Sequence, residues 1–140
     1  MKLFSFLLLL LTFACRAECT RVDAFDSVLE RDSGGQAVNC DCVDMKAEHA
    51  KIAKADECVG RAFAEGKAFR VRYLDQGKQS PFMSAKVRSP GGRVFFYSFD
   101  GRIGKVTRFT CTRPELQAHE GHRHLICMAC LECTAMPVTK

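Results

Sequence analysis

The chain has 140 residues, a formal net charge of +5, nine cysteines and no tryptophan. That length suits one domain able to bury about two thirds of its unfolded surface, so a real core is expected and disulfides need only reinforce it. A charge this mild does not by itself imply a nucleic-acid partner.

The opening residues, MKLFSFLLLLLTFACRAEC, place one lysine before an apolar run from Leu3 to Ala14. The run matches a signal-peptide core and falls short of the roughly 20 residues that a membrane-spanning helix needs. The expectation is an exported protein, periplasmic or secreted. Two processing signals overlap. Cleavage after Ala17 puts Cys15 and Ala17 at the recognition positions and makes residues 1–17 the signal peptide. The alternative is residues 1–14 as the signal and Cys15 as a lipidated first residue that anchors the chain to a membrane, although Thr12 and Phe13 suit such a site poorly. Either way eight cysteines remain: Cys19, Cys40, Cys42, Cys58, Cys111, Cys127, Cys130 and Cys133. An even number in a small exported chain predicts a disulfide framework.

Residues 18–43 show little periodicity and read as an irregular, cysteine-containing arm. A helix is predicted over Asp44 to Glu65, with Asp44 as N-cap and Gly66 as the left-handed residue that ends it. Met45, His49, Ile52, Ala55, Val59, Ala62 and Phe63 recur at three- and four-residue steps and define its inward face. Gly60 weakens that helix by roughly 1 kcal/mol relative to alanine. The period then changes to two. AFRVRYLD, FMSAKVRS, RVFFYSFD and KVTRFTC read as four strands joined by turns, among them a type II turn at SPGG with Gly91 at the position of positive φ. The predicted fold is α+β: one main helix on a four-stranded antiparallel meander over residues 44–111, with a His/Cys-rich tail from 112 to 140.

The stretch CVGRAFAEGKAFRVRYLDQGKQS, followed by GGRVFFYSFDG, resembles a set of small, uncharacterised exported bacterial proteins. They carry a cysteine-bearing helix, a G-K-x-F-x-V-x-Y strand, a Q-G-x-D-S turn and a later strand ending in Tyr and Asp. The resemblance covers about residues 58–111, and Gln79 stands where the pattern has Asp. It implies the helix-and-meander fold and carries no activity with it.

Three chemistries compete for the tail. His119, His122, His124, Cys127, Cys130 and Cys133 offer six ligands of the kind that hold zinc or copper. Export and the even cysteine count favour structural disulfides over a metal, and so no cofactor, with zinc or copper as the alternative. The two overlapping C-x-x-C pairs allow a thiol–disulfide oxidoreductase, but no strand-then-helix start surrounds Cys127. Cys58, on the helix, is expected to pair with Cys111 at the end of the last strand. Cys40 and Cys42 are too close to bridge each other and must reach the remaining cysteines.

Arg70, Arg72, Lys86, Arg88 and Arg93 fall on the polar side of the predicted strands and would form one cationic face. Such a face could meet an anionic component of the cell envelope, the one partner the sequence suggests. Ser80 and Ser84 lack a base in order, the carboxylates are scattered, and His49 reads as a core histidine, so no enzyme is expected. The functional expectation is an exported, disulfide-stabilised binding or structural module. The alternatives are an envelope metal-binding protein and a thiol–disulfide enzyme.

Overall fold

The computed structural model describes residues 22–46, 48–76 and 81–136, with only the backbone of 76, 81 and 132–136. Cys15, Cys19, Gln79, the predicted signal segment and the Cys133 side chain lie outside the described residues. The fold is α+β, but richer in sheet than one helix on a meander.

The arm is ordered into two elements. Helix α1 (Asp23–Ser33) places Asp23 and Asp26 in its first turn, where carboxylates favour the positive end of the helix, and the Asp26 carboxylate accepts the Val22 N–H at 2.9 Å. The helix ends at Gly34, whose φ of 78° suits glycine. Strand β1 (Val38–Asp44) follows, then α2 (His49–Ala64), which starts later than expected. Asp44 ends β1 and accepts the Lys46 N–H at 2.9 Å, so it is no helix cap, and Met45 is exposed in the turn. Gly66 does end the helix as predicted, with φ of 71°.

The four predicted strands are present: β2 (Phe69–Gln76), β3 (Pro81–Arg88), β4 (Val94–Asp100) and β5 (Lys105–Cys111). The SPGG turn differs from type II. Its positive φ falls on Gly92, at 85°, with Gly92 N–H bonded to Ser89 C=O, the three-residue loop that ends in a left-handed residue. The His/Cys-rich tail is built of strands. It forms an antiparallel hairpin of β6 (Pro114–His119) and β7 (His122–Cys127), then β8 (Cys130–Met136) returns to pair with β5. The main sheet has the order β1-β2-β3-β4-β5-β8, and β1 runs parallel to β2 with α2 as the crossover.

Both faces of this sheet are covered. Phe25 and Leu29 of α1 pack on Met83, Val87, Tyr97 and Phe99, while Val59 and Ala62 of α2 pack on Phe69, Val71 and Val94 with Leu125 of the hairpin. Burial of each such side chain contributes roughly 1.5–3 kcal/mol. A bulge in β1 between Asn39 and Cys42, with Asp41 at φ 76°, breaks the usual alternation. Cys40 therefore packs with the α2 layer and Cys42 with the α1 layer.

That strand corrects the expected disulfide. Cys58 pairs with Cys40, and Cys111 pairs with Cys127. The arm, once a strand, runs directly beneath α2, whereas Cys111 sits on the far side of the sheet from β1. Closing the 18-residue separation constrains the unfolded chain by about 3 kcal/mol in the chain-entropy model. Cys42 is also disulfide-bonded, and Cys130 is a free, exposed thiol.

Candidate functional site

The hairpin sets the site. Its two-residue loop, Glu120-Gly121, has φ of 46° and 86°, the pair of positive values that a type I′ turn requires. The register pairs His119 with His122 and Gln117 with His124, which puts three histidines on one hairpin face. Leu116 and Leu125, paired with each other, point to the other face and pack into the core.

Beneath the histidine face lies Asp56, on the buried stripe of α2 and only 6% exposed. Its two oxygens are both engaged. Tyr73 O–H of β2 donates to Oδ1 at 2.6 Å, and Nε2 of the buried His122 lies 3.1 Å from Oδ2. A carboxylate only accepts hydrogen bonds, so a proton of His122 belongs on Nε2, and in the neutral ring Nδ1 carries the lone pair. Among the described residues, Nδ1 of His122 is buried with no hydrogen-bond partner, and so is Nδ1 of His124.

The remaining histidines close around this pair. The His49 ring lies edge-on to His122 at 5.3 Å between centroids, and the His119 ring lies 5.2 Å from His124 and 6.3 Å from His122. Glu120 stands between the two exposed rings, 3.7 Å from His49 and 3.8 Å from His119. Lys86 sits over the Tyr73 and Phe96 rings at 5.1 and 5.8 Å. Burial lowers the pKa of Lys86, against the pull of Asp56, and burial together with Lys86 lowers that of His124. Burial first, then Asp56, pushes Tyr73 well above the ordinary tyrosine range, so its hydroxyl stays a donor. A groove of about 660 Å³ between α2 and the hairpin reaches His122 and is lined by Glu57, Arg61 and Arg123.

The structure divides the six tail ligands expected from the sequence. His119, His122 and His124 come together with His49, which is half-exposed at this site and not a core residue. Cys127 is committed to Cys111, and Cys130 lies beside that bridge. Among the described residues, Cys111, Cys127 and Cys130 form the one group of three or more His, Cys, Asp or Glu ligand atoms within 4.8 Å of one another. The histidines gather at one place without their ring nitrogens forming such a group. Asp56 and Tyr73 were missed in the sequence. The available signal was an acidic residue on an apolar helical stripe, four after Ile52 and three before Val59.

The five basic residues do not form a face. The β2–β3 register pairs Arg72 with Ala85 and Val71 with Lys86, so Arg70 and Arg72 point toward α1 while Lys86 and Arg88 point toward α2. Arg72 binds Asp26 at 2.8 Å, Arg70 reaches Ser33 Oγ at 3.4 Å, and Arg88 reaches the Phe63 carbonyl at 3.5 Å. Arg93 is exposed in the β3–β4 loop, apart from the others. Each half of the supposed face is covered by a helix.

Fold and site together define the class: a disulfide-stapled α+β domain with a histidine cluster seated on a buried Asp–Tyr pair. Compared with known protein families, curated proteins and solved structures, the chain matches none.

Proposed function

We propose that this chain is an exported, disulfide-stapled protein that binds a transition metal of the zinc or copper kind on its histidine cluster. The observation that carries the reading is Nδ1 of His122, buried and without a partner among the described residues while Asp56 holds the opposite ring nitrogen. Metal-bound histidines characteristically donate their other N–H to a carboxylate, which fixes the tautomer and raises ligand basicity. Asp56, itself fixed by Tyr73, supplies that support. His122 and His124 would ligate through Nδ1, with His119 and His49 swinging in from solvent. Zn–N bonds of about 2.0–2.1 Å put two imidazole centroids on one ion roughly 5 Å apart. Two of the observed pairs already stand at 5.2 and 5.3 Å. Imidazole donors suit zinc and copper, and the burial that lowers the pKa of His124 favours the deprotonated ring that ligation needs.

Two disulfides favour folding in an oxidising compartment, the periplasm or the extracellular space. The intact mass of protein from its native host separates cleavage after Ala17 from a lipid on Cys15. Tag-free protein titrated calorimetrically with Zn²⁺, and separately with Cu²⁺, tests the metal reading. We expect one ion per chain, with affinity reduced about 10–100-fold in His122→Ala. No binding of either ion, or equal affinity in the variant, overturns it.

A further inference from the structure

The strongest feature outside the histidine site is the sulfur cluster at the junction of β5, β7 and β8. Cys111 and Cys127 are bridged, Cys130 is a free thiol at the surface, and the three sulfurs lie within 4.8 Å of one another. Cys130 is also the residue directly opposite Cys111 in the β5–β8 register. The backbone clamps this arrangement. Thr112 N–H donates to the Ala129 carbonyl at 2.9 Å, Met128 N–H donates to the Arg113 carbonyl at 2.9 Å, and Thr112 Oγ1 donates to the Ala129 carbonyl at 2.8 Å.

We propose that these three cysteines form a thiol–disulfide exchange site, in which the bridge migrates between Cys111–Cys127 and Cys111–Cys130. Exchange proceeds by attack of a thiolate on one sulfur of a disulfide, and both parties here are held in place by the same strand ladder. Cys130 loses its proton and its thiolate attacks Sγ of Cys111. The Cys111–Cys130 bond forms as the Cys111–Cys127 bond breaks, and Cys127 leaves as the thiolate and takes up a proton. The count of thiols and disulfides is unchanged, and no oxidant or reductant enters. The outcome differs in structure. The original bridge ties the hairpin strand β7 to the sheet, whereas the migrated bridge ties two neighbouring sheet strands, frees the end of β7 and exposes a second nucleophilic position. The site depends on the sulfurs alone and stands whether or not the histidines bind metal.

The test uses the full, folded chain without reductant. It is incubated at several pH values, alkylated with N-ethylmaleimide and cleaved chemically after Met128, which separates Cys127 from Cys130. We expect label on both cysteines, the Cys127 share growing with incubation time and faster at higher pH. In Cys130→Ser, label at Cys127 should be lost and Cys111 should stay protected. In Cys127→Ser, Cys111 and Cys130 should be found joined and protected. Label confined to Cys130 in the wild type, label at Cys127 that persists in Cys130→Ser, or alkylation of both Cys111 and Cys130 in Cys127→Ser each overturns the proposal.

Discussion

Asp56→Asn exchanges a carboxylate for an amide of the same shape at the centre of the histidine cluster. The amide oxygen can still accept from Tyr73, but the amide nitrogen then faces Nε2 of His122 with hydrogens of its own. Two donors cannot meet, so His122 must surrender its Nε2 proton and carry it on Nδ1, the atom assigned to the metal. Two hydrogen bonds to a charged group, each about 1.5–3 kcal/mol, become neutral bonds of about 0.5–1.5 kcal/mol, a total loss of roughly 2 kcal/mol. For a domain of this size that lowers the melting temperature by roughly 8 °C. Zinc affinity should fall about 10–100-fold, as it does when a ligand's supporting carboxylate is removed. Long-range ¹H–¹⁵N correlation spectra report which ring nitrogen bears the proton, and calorimetry reports the affinity. If His122 keeps its proton on Nε2 in the variant, the hydrogen-bond assignment is wrong. If the proton moves and zinc binds as before, His122 does not ligate through Nδ1.

Glu120 occupies a left-handed position, φ 46°, that favours asparagine or glycine, so Glu120→Asn should stabilise the hairpin by about 0.5–1 kcal/mol, read as slower amide exchange in β6 and β7. Phe25 is fully buried and stacks on Phe99 at 5.5 Å, so Phe25→Ala should cost about 3–5 kcal/mol in urea unfolding and deprotect α1 first. Burial alone would raise Asp32, but hydrogen bonds from Arg31, Tyr97 and Arg108 outweigh it and hold the carboxylate below its usual range. A depressed carboxylate stabilises fully above its unfolded pKa of about 3.9 and loses that stabilisation as pH falls through the folded value. The urea midpoint should therefore drop below about pH 4, and the drop should be shallower in Asp32→Asn; an unchanged acid limb refutes the assignment.

The meander was legible because its four strands carry two-residue alternation of ordinary apolar residues. Helix α1 was not, since only Phe25, Val28 and Leu29 mark its face, too few to separate it from a loop. Strand β1 was hidden by its own bulge, which breaks the alternation at Asp41 and sends the two halves of CDC to opposite layers. Missing α1 produced the error over the arginines. Arg70 and Arg72 alternate as residues of a solvated face would, but Asp26 and Ser33 of the unseen helix are their partners. The hairpin escaped because histidines supply one of its faces, and because Glu-Gly is a weaker turn signal than Asn-Gly or Asp-Gly. Of the site, the three tail histidines were visible as ligands. Their seat was not, because Asp56 and Tyr73 are separated from them by most of the sheet in sequence.

The cysteines of β1 have one more consequence, for how the molecule avoids its neighbours. Among the described residues β1 is an outer strand, and an outer strand with unpaired backbone groups is a template on which a second chain can add. Sliding by a single residue would turn every side chain of β1 to the wrong layer. The Cys40–Cys58 bond forbids that slide by fixing the strand to α2, and the bulge at Asp41 distorts the outward ladder that an incoming strand would have to match. The same bond that holds the helix down thus fixes the register of this margin of the sheet, and the bulge is what disfavours an added strand.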